Sequence, residues 1–177
     1  QIKGSIKFDL IVMGTNGITG AKEVVFGSNT INVIRKVDCP TLVVPEDFKY
    51  RAPKDILLPL DLKDSLSDTA FKNVIKFTKD FGEKLHLLRI TPNNKGLKEI
   101  EQDTENIDSF LGDTLYEYHI MNKVPMTYAV DAYIQSNSID LTTLLVQKES
   151  LFERFFIGSP TTKISNNIRV PLLIFHA

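Results

Sequence analysis

Of 177 residues only one, Cys39, is a cysteine, so no intrachain disulfide framework exists and a reducing compartment fits. No apolar run approaches the ~20 residues needed to span a bilayer. The first residues, Gln1-Ile2-Lys3-Gly4, contain no signal-peptide core. Net charge is nearly absent as well: 21 Lys and Arg face 22 Asp and Glu, for a balance of -1. A chain of that balance lacks the basic footprint of a nucleic-acid binder. The remaining composition, 42% hydrophobic and 24% charged, excludes disorder, collagen and coiled coil as the main theme. These absences describe a soluble, cytoplasmic-type protein with neither nucleic acid nor membrane as partner.

Enzyme signatures suited to an α/β chain are missing too. There is no G-x-x-x-x-G-K-[ST] loop and no G-x-S-x-G elbow. His-x-Gly-His and Ser-Gly-Gly motifs are also absent. His86, His119 and His176 show no metal-ligand spacing. No nucleophile–base pair is visible, so no reaction is assigned. Cys39 enters a strand beside Pro40 and reads as packing. The acidic run Glu99, Glu101, Asp103, Glu105 and Asp108 reads as the wet face of a helix whose dry face is Leu97, Ile100 and Ile107. Leu151, Phe152, Phe155 and Phe156 form an aromatic cluster suited to packing, or to a partner if exposed.

What is present is a repeat. Residues 8–45 align with residues 139–176 without a gap, at a constant offset of 131. Phe8-Asp9-Leu10 matches Ile139-Asp140-Leu141, Gly27-Ser28 matches Gly158-Ser159, and Leu42-Val43-Val44 matches Leu173-Ile174-Phe175. This predicts a duplicated unit: the end of a first domain at 1–50 and a complete second domain at 51–177. By the same offset roughly 77 residues of the first unit would lie upstream of Gln1.

Within the second unit the elements alternate. Asp55–Leu60 reads as a buried strand, and Ala70, Val74, Phe77 and Phe81 recur at helical spacing before Gly82. Strands follow at Lys84–Ile90, Tyr116–Ile120, Leu141–Val146 and Leu172–Phe175. Helices are predicted near Leu97–Leu111, Pro125–Gln135 and from Ser159-Pro160. The alternation predicts an α/β fold: a parallel five-stranded Rossmann-like sheet with helices on both faces, duplicated.

The stretch that carries chemistry is Val12-Met13-Gly14-Thr15-Asn16-Gly17, continuing to Phe26-Gly27-Ser28-Asn29-Thr30. Glycine lets the backbone take positive φ and lets a ligand touch its amides. Gly27-Ser28 opens a helix whose free N–H groups and dipole suit an anion, and Ser28 can cap it or donate a hydroxyl to phosphate.

The pattern G-x2-G-x9-G-S, followed by Cys-Pro-Thr-Leu-Val-Val-Pro, resembles the C-terminal half of a universal stress protein (UspA-like) domain. The resemblance is close over residues 8–45 and looser over 54–177, as in a tandem member of the family. It implies an ATP-binding sensor or regulator, taking ATP or another adenine nucleotide with or without Mg2+. The implied contacts are Met13, Gly14, Asn16, Gly17, Gly27, Ser28, Asn29 and Thr30. At most a slow ATP hydrolysis follows.

In the second unit Leu145 and Lys148 stand where the first two glycines would, and Pro160 removes an N–H, so tight nucleotide binding is expected to be lost there. Asp61 stands where the family places its adenine contact, and reads first as a loop aspartate. The alternative function is a scaffold or dimerisation protein without a nucleotide site. Its last strands, Thr41–Val44 and Leu172–Phe175, would pair antiparallel, within the chain or between chains, and generate a pseudo-two-fold.

Overall fold

The computed structural model describes residues 8–15, 28–60, 69–92, 97–146 and 169–176, with the side chains of Ser28 and of 97–99 left out. In chain order the elements are β1 (Ile11–Gly14), α1 (Ser28–Lys36), β2 (Thr41–Val44), β3 (Asp55–Leu60), α2 (Thr69–Phe81), β4 (Lys84–Thr91), α3 (Leu97–Leu111), β5 (Tyr116–Asn122), α4 (Met126–Ser136), β6 (Leu141–Val146) and β7 (Leu172–His176). The fourth predicted helix, from Ser159, falls outside the described residues.

Local chemistry accounts for the elements. In α2 the buried residues Ala70, Phe71, Val74, Ile75 and Thr78 recur three and four apart and form one stripe. Gly82 follows, its N–H bonded to the Thr78 carbonyl at 2.8 Å. α3 ends at Gly112, whose φ of 57° is the left-handed conformation that glycine adopts freely. β3 and β4 are buried after their first residue, as strands covered on both faces must be.

All seven strands form one sheet in the order β1-β2-β7-β6-β3-β4-β5. This corrects the expectation of a purely parallel, five-stranded sheet. The five strands β7-β6-β3-β4-β5 are parallel, but β2 joins β7 antiparallel, with β1 parallel to β2, so the sheet is mixed. The physical reason is the edge of β7: its outer N–H and C=O groups need partners, and β2 supplies them from the same chain.

Helices cover both faces. Ile34 of α1 and Met126, Ala129, Val130 and Tyr133 of α4 pack on one side, against Val43, Leu57, Leu88, Leu144 and Ile174. On the other side α2 and α3 bring Phe71, Val74, Ile107 and Leu111 onto Ile56, Leu58, Leu85, Leu87 and Leu145. Arg89 pins α3 to the sheet through two hydrogen bonds to Asp103, from Nε at 3.1 Å and from a terminal nitrogen at 3.0 Å, and Tyr118 donates to the same carboxylate.

Candidate functional site

β1 ends at Gly14, which is exposed, while Met13 before it packs against the core around Ile34 and Val43. Thr30, buried in the first turn of α1, donates its hydroxyl to the Gly14 carbonyl at 3.3 Å. That bond holds the start of the helix against the end of the strand. The Thr15 N–H is bonded to the Val44 carbonyl at 3.1 Å. Its hydroxyl is buried and has no hydrogen-bond partner among the described residues. The first turn of α1 contains no acidic residue and its last turn carries Arg35 and Lys36, so no side-chain charge opposes the positive end of the helix dipole. Free helix N–H groups of this kind accept an anion.

Of the residues singled out in the sequence, Met13, Gly14 and Thr30 meet at this corner, and Asn29 is exposed beside them. Ser28 opens α1. Asn16, Gly17 and Gly27 lie outside the described residues. Gly14 does not use its conformational freedom: among the described residues positive φ occurs at Gly112 and at Lys123 alone. Its contribution is space, since a Cβ built there would meet no described residue within 4 Å.

In parallel sheets ligands sit beyond the carboxyl ends of strands where the strand order reverses, which here is between β3 and β6. β3 pairs with β4 along its whole length but with β6 only at Ile56 and Leu57. Beyond Leu57 the ladder is replaced by a side chain, with the Thr143 hydroxyl donating to the Leu57 carbonyl at 3.0 Å. Pro59, which has no N–H to give, sits where the two strands part. Leu145 turns into the core shared with α2 and lies fully buried. Asp61, Lys148, Gly158, Ser159 and Pro160 are outside the described residues.

A polar cluster that sequence reading missed lies at the opposite end of the strands. His86 is buried, its Nε2–H donating to Asp55 at 2.8 Å and its Nδ1 facing the Tyr133 hydroxyl at 3.0 Å. Lys84 and His119 both approach Glu117, at 2.8 and 3.5 Å. The hydrogen bond from Lys84 holds the Glu117 carboxyl below its ordinary range. Burial, with the negative charges of Glu117 and Asp55, pushes the Tyr133 hydroxyl up to about 12. Residues 31 and 47 positions apart give no local spacing, so nothing in the sequence could have joined His86 to Asp55 and Tyr133. Because the cluster closes the amino ends of the strands, it reads as a fold-closing network. Among the described residues no group of three or more His, Cys, Asp or Glu could hold a metal ion. No helix among them is long and apolar enough to cross a membrane.

Residues 1–45 match the model of the Universal stress protein family. A universal stress protein of Methanocaldococcus jannaschii is 49% identical over 43 residues, which are 24% of this chain and 25% of that protein. The fold is similar to that of a universal stress protein from Archaeoglobus fulgidus, with a TM-score of 0.66 at 18% identity, covering 95% of this chain and 60% of the other. A functionally unknown protein from Pseudomonas aeruginosa has a TM-score of 0.62 at 14% identity, with 95% and 63% covered. The chain therefore spans less than two thirds of the solved chains it matches and a quarter of the curated relative. Residues 1–45 are thus similar to the universal stress protein family, and the described sheet and helices have the fold of these solved chains.

Proposed function

We propose that the chain belongs to a two-unit universal stress protein that binds an adenine nucleotide, ATP in the first instance, at the corner between β1 and α1. The observation that carries this reading is the Thr30 to Gly14 hydrogen bond, which sets a helix start against an open strand end. The phosphates would lie on the N–H groups at the start of α1, with Ser28 and Asn29 beside them. Any Mg2+ would arrive with the nucleotide, since no acidic residue stands in the first turn of α1 to bind it alone. Binding would act as a regulatory signal by shifting a partner-binding equilibrium.

Two units are supported by register. β1 runs parallel to β2 with Ile11 opposite Thr41, and β6 runs parallel to β7 with Thr142 opposite Leu172, so each pair repeats 131 positions later.

Titration calorimetry with ATP, ADP and AMP up to millimolar concentration tests the nucleotide reading. Saturable heat that disappears in Gly17→Asp, with the melting temperature kept, supports it. No heat with any of the three removes it and leaves a scaffold of the same fold, built on the intrachain joint between β2 and β7.

A further inference from the structure

β5 ends the sheet on the side away from β1, and among the described residues no strand lies beyond it. Its inner edge is taken up by β4. The Leu115 carbonyl accepts from the Leu85 N–H at 2.9 Å, and at the other end the Lys123 N–H donates to the Thr91 carbonyl at 2.8 Å. Alternate residues of a strand point their backbone groups the same way, so the odd-numbered positions from Leu115 to Lys123 face β4. The N–H and C=O groups of Tyr116, Tyr118, Ile120 and Asn122 therefore point outward, away from β4.

The side chains along this edge are complementary to themselves. Glu117 and His119 stand 3.5 Å apart on the face that α4 covers, with Glu117 held by Lys84 and His119 against the Tyr133 ring. Both remain accessible, His119 at 48% and Glu117 at 43%. On the other face Tyr116 and Tyr118 donate to Asp108 and Asp103 of α3, which fixes the strand against its helix. Leu115 is 63% exposed at one end. Exposed Asp113 precedes the strand and exposed Lys123 follows it.

We infer that the outer edge of β5 is a self-association surface whose occupant is β5 of a second copy of this chain, paired antiparallel about a two-fold axis at Tyr118. In that register Tyr118 exchanges both backbone hydrogen bonds with its own counterpart, and Tyr116 exchanges them with Ile120 of the second copy. Glu117 of each copy then lies beside His119 of the other, Leu115 beside Met121, and the end carrying Asp113 beside Lys123. The nearest alternative registers set Glu117 against Glu117 or His119 against His119 instead. A contact of this symmetry closes on itself, so the edge is consumed in a dimer and does not extend into a filament. One strand from each copy makes a small contact, so the association is weak and depends on concentration. The surface is separate from the joint between β2 and β7, and the inference is independent of nucleotide.

Sedimentation equilibrium of the full 177-residue chain, from low micromolar to near-millimolar concentration, tests this together with amide hydrogen exchange at both ends of that range. A reversible monomer–dimer equilibrium is expected. Exchange at Tyr116, Tyr118 and Ile120 should slow at least roughly threefold at the upper concentration, and by a larger factor than at Glu117, His119 and Met121, which already face β4. Asp113→Lys and Lys123→Asp should each weaken the dimer at least roughly threefold, and the double variant should restore it. Within one chain the two positions lie at opposite ends of β5, roughly 30 Å apart, so restoration can come only across the two-fold. A monomer throughout the range, a dimer in which the outward amides of β5 gain no protection, or a double variant that associates no more tightly than either single one would each overturn the inference.

Discussion

Leu42 of β2 lies directly opposite Leu173 of β7, its own counterpart 131 positions further along the chain. Thr41 faces Ile174 and Val43 faces Leu172, so the pairing is symmetric about that central pair. A local two-fold axis at this point joins a three-layered parallel unit to the short strand pair β1 and β2. It explains how two pieces of sheet that are parallel within themselves become one mixed sheet.

The joint should be sensitive to charge. Val43 is fully buried among Ile34, Leu172 and Ile174. Val43→Lys places an unpaired ammonium there and is expected to cost roughly 3–5 kcal/mol. Urea unfolding followed by circular dichroism measures it, and a change under ~1 kcal/mol would mean the strand is not packed as described.

Gly14 separates folding from binding. With no described residue within 4 Å of its missing Cβ and no positive φ, Gly14→Ala is expected to change stability by no more than ~0.5 kcal/mol. Gly14→Asp should leave the melting temperature similar but lower ATP affinity at least roughly tenfold, through repulsion of the phosphates. Calorimetry on the three proteins decides it.

Asp103 should matter far more than its place in an acidic run suggests. Asp103→Ala takes the bidentate acceptor from the buried Arg89 and the acceptor from Tyr118. The expected loss is about 3–5 kcal/mol. The double replacement Arg89→Met with Asp103→Leu should recover most of it, because no charge is then left buried. Denaturant midpoints of the two variants give the comparison.

Stability should fall at high pH in a defined window. Burial, assisted by Asp108, Asp103 and Glu117 respectively, pushes Tyr116, Tyr118 and Tyr133 up to about 12 from the ordinary 10.0. A raised tyrosine holds its proton more tightly in the folded state. Its contribution is complete below pH 10 and is lost as pH rises from there towards about 12. Ultraviolet titration should find these three ionising late or together with unfolding, and Tyr118→Phe should remove part of the dependence. Ionisation of all five tyrosines in one step at their ordinary value would contradict it.

The elements of the second unit were legible because their signals are local. An apolar run at Asp55–Leu60 and an apolar stripe through Ala70 and Val74 need only neighbouring residues to be read, and β3 and α2 lie there. The candidate site was legible in part: the glycine spacing named Gly14 and Thr30, and the fold brings these two within a hydrogen bond. The Thr15 hydroxyl was missed, since its burial depends on how β1 meets the chain after Val44. His86 shows no informative spacing in the sequence for a related reason, because Asp55 and Tyr133 reach it only through the stacking of β3, β4 and α4.

By itself the sequence determined the alternation of strands and helices, the 131-residue correspondence and the glycine pattern, all of which follow from side-chain periodicity and backbone freedom along the chain. Tertiary structure alone decided that β2 closes against β7 within one chain rather than between chains, that β3 and β6 part after Leu57, and that Asp140 receives the start of β3. Each of these depends on which backbone edge finds a hydrogen-bonding partner from a distant part of the chain, and periodicity does not encode that choice.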